Sequence, residues 1–181
     1  MPDKLFIVPY DVTWPNQFIS LAKLLRETLG GVALRIDHIG STAVPNLAAK
    51  DIVDIQISVA SFDPIAHIQQ PMERLGYVFR ANNDDLTKRY FREAPDTKRT
   101  HIHVRKIGSW SQQFALLFRD YLREHPDDAD QYAQLKIRLA AELADRRQDY
   151  VDAKSPLIWE IMQKASRWSQ RIGWEPGPSD Y

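Results

Sequence analysis

The sequence predicts a mixed α/β fold of the α+β kind, with one twisted, mostly antiparallel sheet and helices packed against it. Alternating apolar and polar residues indicate strands at 34–39, 52–59, 88–93 and 99–106. A helical pattern precedes the first of these strands, and helical patterns fill the chain from Trp110 onward. We therefore expect flanking helices and a C-terminal helical layer beside the sheet.

Composition limits the class of protein. The chain of 181 residues, 44% of them hydrophobic, is long enough for one domain with a core. We expect a single domain over residues 1–172 and a tail at 173–181 that is loosely held unless Trp174 docks. Because 24 basic and 24 acidic residues balance, no strong nucleic-acid signal is present. The absence of cysteine excludes disulfides, a thiol nucleophile and cysteine-bound zinc.

The N-terminal residues lack a basic stretch followed by a long apolar one, so we expect no signal peptide. The longest apolar runs are far shorter than a membrane span, so we expect no membrane partner. A cytoplasmic enzyme or a cytoplasmic binding protein fits both observations.

The first helix is predicted to begin near Thr13, because a proline follows in the first turn, and to end at Gly30. We interpret Trp14 as an anchor of this helix rather than as a ring that stacks on a substrate. A second helix is predicted to open at Asp63-Pro64 and to be kinked or split at Pro71.

The last third of the chain is predicted to be helical throughout. One helix is expected to end at His125-Pro126, with Asp127 or Asp128 capping the next helix. Ser155-Pro156 is expected to open the final helix, because serine caps helices and proline suits the first turn.

A turn at Gly40-Ser41 leaves the first strand, and its N–H groups and hydroxyl can hold a phosphate. His38, just before the turn, is expected to order it by hydrogen bonding. Lys50, at the far end of the loop, is either a phosphate ligand or a solvated lysine. Cations of the helical layer could also reach a phosphate, although such side chains usually stay at the surface: Arg119, Lys136 and Lys154.

Polar side chains are predicted to gather on one face of the sheet, because residues two apart on a strand point the same way. This face would carry Asp54, Gln56, Arg92, His101 and His103. Two imidazoles beside a carboxylate can approach one divalent metal. The alternative is an ordinary exposed sheet face.

The stretch HIGSTAVPNLAAKDIVDI, residues 38–55, resembles the signature of the GrpB-like family (UPF0157), a branch of the nucleotidyltransferase superfamily. Further landmarks, such as Trp14-Pro15, HIHV at 101–104 and LFRDYL at 117–122, extend the resemblance over residues 7–165. It implies a nucleotidyltransferase-like fold, with a nucleoside triphosphate or another phosphate-bearing small molecule as partner. The implied cofactor is Mg²⁺ or Mn²⁺, and two imidazoles favour Mn²⁺ or a softer ion.

The resemblance also implies roles for individual residues. Gly40 and Ser41 would hold the phosphates, and Lys50 and Arg92 would take the remaining negative charge. With a histidine in the place of the superfamily's third carboxylate, the metal ligands would be Asp54, His101 and His103, and the catalytic residues would be Asp54 and His103.

The chain departs from the superfamily at its second carboxylate position, where Gln56 stands. Asp51 lies off the face of Asp54 and does not replace it. Three functions therefore stay open. The first is a nucleotidyl- or phosphoryl-transferase with an unidentified acceptor. The second is a catalytically degenerate binding protein, which the family's association with dephospho-CoA kinase links to coenzyme A metabolism. The third is a metal hydrolase that uses the two histidines.

Overall fold

The computed structural model describes residues 5–181, which form one five-stranded sheet and five α-helices. The strands are β1 (Arg35–Ile39), β2 (Val53–Val59), β3 (Val78–Phe79), β4 (Lys88–Arg92) and β5 (Thr100–Lys106). The helices are α1 (Trp14–Leu29), α2 (Ala66–Arg74), α3 (Trp110–Glu124), α4 (Pro126–Glu142) and α5 (Arg147–Ile172). Within the described residues, no helix combines the length and apolar character that a bilayer span requires.

The sheet has the strand order β1-β2-β5-β4-β3 and is mixed, as predicted. β2 and β5 are parallel at its centre, and the other three neighbouring pairs are antiparallel. Asp54 lies opposite His101, and Gln56 lies opposite His103. Because directly opposite residues point to the same side of a sheet, one face carries the predicted polar group.

The other face of the sheet holds the main hydrophobic core. Helices α1 and α2 bury their apolar sides against Ile36, Ile55 and Ile102. Trp14 is 0% exposed, and its Nε1 donates a hydrogen bond of 2.9 Å to Asp51 Oδ1, so it is an anchor, as predicted. The polar face is covered by α3, α4 and α5, which form a second core together with the loop residues Val44 and Leu47.

The boundaries of α2, α4 and α5 differ from the prediction. Helix α2 begins at Ala66 and is not split at Pro71, because buried Ile68 and Met72 hold it on the sheet although one hydrogen bond is lost. Helix α4 is preceded by His125, with Pro126 in its first turn. Asp127 and Asp128 therefore lie inside the first turn and do not cap the helix.

Ser155-Pro156 lies in the interior of α5 and does not open a helix, contrary to the prediction. Tyr150 lies before the proline and Ile161 after it, and both side chains are buried. Packing of both halves against the same helical layer outweighs the single hydrogen bond that an interior proline removes.

The tail after α5, which the sequence predicted to be loosely held unless Trp174 docks, is held in place by that tryptophan. Its Nε1 donates a hydrogen bond of 3.2 Å to Asp120 Oδ2 on α3. Further along, Tyr181 N donates to Ile36 O at 3.1 Å, which places the tail against the outer edge of β1.

Candidate functional site

A cavity of about 260 Å³ lies between the Gly40-Ser41 turn, β2 and the helical layer. From the sheet and the turn, Ser41, Asp54 and His101 line it. From the loop and the helices it receives four cations: Lys50, Lys136, Arg147 and Lys154. The two halves of the site predicted from the sequence, the phosphate turn and the strand carboxylate, therefore face one space.

Asp54, His101 and His103 form a cluster that fits a metal ion. Asp54 Oδ1 lies 3.1 Å from His101 Nδ1 and 3.4 Å from His103 Nε2. The three potential ligand atoms all lie within 4.8 Å of one another. His103 does not line the cavity itself but contacts Asp54 from the same sheet face. One carboxylate with two imidazoles suits Mn²⁺ or a softer ion better than Mg²⁺, which prefers oxygen.

The charge states in this cluster favour metal binding. Burial raises the pKa of Asp54, but hydrogen bonds from His101 and His103 outweigh it and hold the pKa well below its usual value. Burial lowers the pKa of His103. The site thus combines an ionised carboxylate with a neutral imidazole at neutral pH, and metal ligands must be in these forms.

The outer nitrogens of the two imidazoles are unusual for a metal site. His101 Nε2 and His103 Nδ1 are buried and have no hydrogen-bond partner among the described residues. Metal-bound histidines commonly donate this N–H to a carboxylate or a carbonyl group. Here the ring of Tyr90 packs against both imidazoles, with centroid distances of 5.7 and 5.1 Å, and fixes their orientation by contact.

Gly40 brings the turn against Asp54. Its φ of 70° and ψ of −169° belong to a region that is essentially restricted to glycine. A Cβ at this position would lie 2.7 Å from Asp54 Oδ2. The close approach of Gly40 is therefore to the carboxylate of Asp54, and it fixes where the Gly40-Ser41 turn stands relative to the Asp54, His101 and His103 cluster.

Gly40→Val is expected to destabilise the protein by about 1–3 kcal/mol, because it adds backbone strain and displaces Asp54. Urea unfolding measures this change. Gly76→Ala is a suitable control, because Gly76 also has a positive φ but a Cβ there meets nothing within 4 Å. The Gly76→Ala control is expected to lose stability through backbone strain but to keep its Mn²⁺ affinity. A Gly40→Val protein with unchanged Mn²⁺ affinity would contradict the role of this close approach.

Lys136 reaches the turn from α4. Its Nζ donates a hydrogen bond of 2.8 Å to Ser41 Oγ and a second one to Ala48 O. The residue is 3% exposed, and burial, together with the charges of Lys154 and Lys50, lowers the pKa of its ammonium group to about 7. This buried cation is already positioned beside the hydroxyl that is predicted to bind phosphate.

Two further lysines flank one aromatic ring. Nζ of Lys50 lies 4.3 Å and Nζ of Lys154 lies 4.6 Å from the ring centroid of Tyr150. Burial and the neighbouring cations Lys154 and Arg147 lower the pKa of Lys50 to about 8. Within residues 5–181, none of these lysines forms an ion pair with a carboxylate. The cavity therefore has an excess of positive charge that a bound anion would neutralise.

Two residues of the predicted polar face, Arg92 and Gln56, do not line this cavity. Arg92 was predicted to bind substrate, but its guanidinium pairs with Glu93 at 2.7 Å and lines a neighbouring cavity with Arg99. Gln56 lies on the face of Asp54, yet it is fully buried and its Nε2 donates to Gln112 O of α3 at 3.1 Å. The second superfamily position therefore joins the sheet to the helical layer.

His38 orders the turn, as the sequence predicted. Its Nε2 lies 2.9 Å from Thr42 Oγ1, and its ring stacks on Phe18 at 4.9 Å between centroids. Asp51 also lies where it was predicted, off the sheet face of Asp54, and pairs with Lys98 at 2.7 Å.

Arg147 and Tyr150 are site residues that the sequence did not reveal. Lys136 and Lys154 were considered, but only as cations that usually stay at the surface. A signal for Lys136 does exist, because it follows buried Tyr132 by one helical turn and precedes buried Ala140 by another. A lysine inside an apolar stripe at helical spacing indicates a cation that faces the interior.

Comparison with known proteins identifies the family and the fold of this chain. A sequence profile described as "GrpB protein" matches residues 4–164. The UPF0157 protein BH1888 of Halalkalibacterium halodurans is 38% identical over 161 residues, covering 88% of this chain and 82% of that protein. A dephospho-CoA kinase of Mycobacterium tuberculosis is 34% identical over 200 residues, covering 94% of this chain and 48% of the kinase. This chain spans about half the length of that kinase and of the UPF0157 protein YqkA of Bacillus subtilis.

Two solved structures show the same fold. The conserved protein GrpB from Enterococcus faecalis aligns with a TM-score of 0.82 and 33% identity, covering 90% of this chain and 99% of that chain. The Cid1 poly(U) polymerase, in a mutant bound to MgATP, aligns with a TM-score of 0.52 and 10% identity, covering 78% and 45%. At that identity the second match speaks for the fold alone. The chain therefore belongs to the GrpB family and has a nucleotidyltransferase-like fold.

Proposed function

We propose that this protein binds a nucleoside triphosphate, or a similar phosphate-bearing small molecule, together with a divalent metal. One observation carries the proposal: cations of the loop and two helices converge with the Gly40-Ser41 turn and Asp54 on one cavity. A polyphosphate is the ligand class that needs several cations and a metal in the same small space. The nucleotidyltransferase-like fold supports the same ligand class.

Asp54, His101 and His103 would hold the metal, which would supply Lewis-acid neutralisation of the phosphate charge. Ser41 and Lys136 would bind the phosphate oxygens, since the hydroxyl and the ammonium group already lie 2.8 Å apart. Lys50 would approach the same phosphates from the loop. In this arrangement each donor is positioned before the ligand arrives, so little reorganisation free energy is lost on binding.

Nucleotidyl transfer by this site is expected to be slow. Two-metal transfer needs a second carboxylate to bridge the metals, but Gln56 stands at that position and its amide is bonded to Gln112 O. Loss of one well-placed electrostatic group costs about 10²–10³ in rate. Gln56 therefore also supports the alternative, a binding protein of the same fold without turnover. The dephospho-CoA kinase relative suggests coenzyme A metabolism as its context, and both functions suit a cytoplasmic protein.

A thermal-shift panel tests the proposal. Nucleoside mono-, di- and triphosphates would be added with Mg²⁺, with Mn²⁺ or with a chelator, and the unphosphorylated nucleoside serves as the control. A triphosphate with Mn²⁺ at 100 times its Kd should stabilise the protein by about 2.7 kcal/mol. The thermal shift is expected to be larger with a triphosphate than with a monophosphate, and larger with Mn²⁺ than with the chelator. The absence of any metal-dependent shift with all triphosphates would rule out the proposed site.

A further inference from the structure

The segment 174–181 completes the outer edge of β1 with both side-chain and backbone groups. Ile36 N donates to Ser179 Oγ at 2.8 Å, and Tyr181 N donates to Ile36 O at 3.1 Å. His38 N donates to Asp180 Oδ2 at 2.9 Å. The edge strand that carries the phosphate turn is therefore held from outside by this segment, which satisfies backbone groups that would otherwise face solvent.

Arg119 of α3 connects the segment to the same strand. The residue is only 4% exposed, and its Nη1 donates to Asp180 Oδ2 at 2.7 Å and to His38 O at 2.9 Å. Its Nε donates to Asp120 Oδ1 at 2.7 Å. A buried guanidinium needs charged partners, and Asp180 is one of the two carboxylates that provide them here.

Two routes lead from this ion network to the turn beside the cavity. Along the first, the N–H of His38 donates to Asp180 and its carbonyl oxygen accepts from Arg119, while its imidazole contacts Thr42 Oγ1 at 2.9 Å. Along the second, Asp120 pairs with Arg123 at 3.5 Å, and Arg123 Nε donates to Ala43 O at 2.9 Å. Two residues of the short helix Ser41–Ala43, Thr42 and Ala43, are thus held by two chains of contacts, and both chains lead back to Asp180.

We infer that Asp180 and Arg119 are positioning residues for the Ser41–Ala43 turn, so that the segment 174–181 is part of the phosphate site. Neither residue lines the cavity, and both act through His38 and Arg123. The consequence for ligand affinity rests on the proposed function, whereas the coupling of the segment to the turn does not.

The test compares Asp180→Asn with Glu175→Gln, which removes the same charge from an exposed residue of the same segment. Amide hydrogen exchange is measured by NMR at Ala43 and Val44, whose N–H groups bond to Gly40 O and Ser41 O. Ile57 in the centre of the sheet reports global opening. Triphosphate affinity with Mn²⁺ is measured in parallel, and Asp180→Glu, which keeps the charge, serves as the rescue variant.

Asp180→Asn is expected to accelerate exchange at Ala43 and Val44 about tenfold relative to Ile57 and to weaken triphosphate binding about tenfold, because a charged hydrogen bond is lost. Glu175→Gln should change neither, and Asp180→Glu should restore slow exchange. Unchanged exchange at the turn, or equal acceleration at Ile57, would overturn the inference. If the unmodified protein binds no triphosphate, the proposed function fails, while the exchange data still decide the coupling.

Discussion

Asp54→Asn is expected to abolish metal-dependent nucleotide binding while the fold stays intact. Among residues 5–181, Asp54 supplies the only carboxylate of the proposed metal cluster, and its pKa is held low by two histidines, so the substitution removes a full negative charge from the ligand set. Changing an outer-shell partner of a metal site costs about 10–100-fold in affinity, and removal of a direct ligand should cost more than about a hundredfold. Mn²⁺ titration followed by electron paramagnetic resonance measures this loss.

Asp51→Asn is the matched control for this experiment. Asp51 lies three residues away in the same loop and strand region, but it pairs with Lys98 and Trp14 away from the cluster. The Asp51→Asn protein is expected to keep its Mn²⁺ affinity and to lose some stability. Circular dichroism on both variants separates misfolding from loss of metal. Retained Mn²⁺ binding in a folded Asp54→Asn protein would remove Asp54, and with it the strand site, from the proposal.

Lys136→Met is expected to weaken triphosphate binding by about 10–100-fold, because a buried charged hydrogen bond contributes about 1.5–3 kcal/mol. Methionine has a similar length and leaves the packing against Tyr132 largely in place. Isothermal titration measures the affinity. Lys23→Met on the exposed side of α1 is the control and should leave it unchanged. Equal affinity in Lys136→Met and Lys23→Met would show that Lys136 only braces the turn.

The pH dependence gives the same experiment a second readout. The free protein holds Lys136 with a pKa of about 7, while a bound phosphate raises that pKa, so binding takes up a proton above pH 7. Affinity should therefore fall as pH rises from about 7 to 9, a range that lies above the second phosphate pKa of about 6. Lys50, Lys154 and Asp54 also act on Lys136, and Lys50, with a pKa of about 8, adds to the slope. Lys136→Met should flatten the profile below pH 8.

The stability of the free protein should change with pH in the opposite direction. Lys136 has a pKa of about 7 when folded and an ordinary value of 10.5 when unfolded, so the unfolded chain binds more protons between these values. Stability contributed by this group therefore rises with pH across that window. Lys136→Met removes this contribution, which urea titrations at pH 7 and 9 would detect.

The polar sheet face was predictable because strand alternation is a local property. A period of two places Asp54 and Gln56 on one side of β2 and His101 and His103 on one side of β5, whatever the rest of the chain does. The parallel pairing of these strands, which sets Asp54 opposite His101, was not predicted and is known only from the structure. The beginning of the first helix at Trp14 was equally local, since a proline in its first turn indicated it.

Predicted helix boundaries were wrong where tertiary packing outweighed the local conformational preference of the residues. Ser155-Pro156 has the composition of a helix start, yet it lies inside α5, because burial on both sides of the proline offsets one missing hydrogen bond. Arg92 shows the same limit for a site residue. The correct face of β4 was predictable, but the partner of its guanidinium, Glu93, depended on side-chain positions that no pattern describes.

The sequence by itself determined the family, the order of elements, the Gly40-Ser41 turn and the carboxylate–histidine face, because each follows from short-range spacing or a contiguous motif. Tertiary structure alone decided which cations share the cavity. Lys50, Lys136 and Lys154 are separated by up to 104 positions in the chain and meet only when α4 and α5 fold over the turn. The docking of the segment 174–181 on β1 was decided in the same way, because its partners, Ile36, His38 and Arg119, lie far from it in sequence.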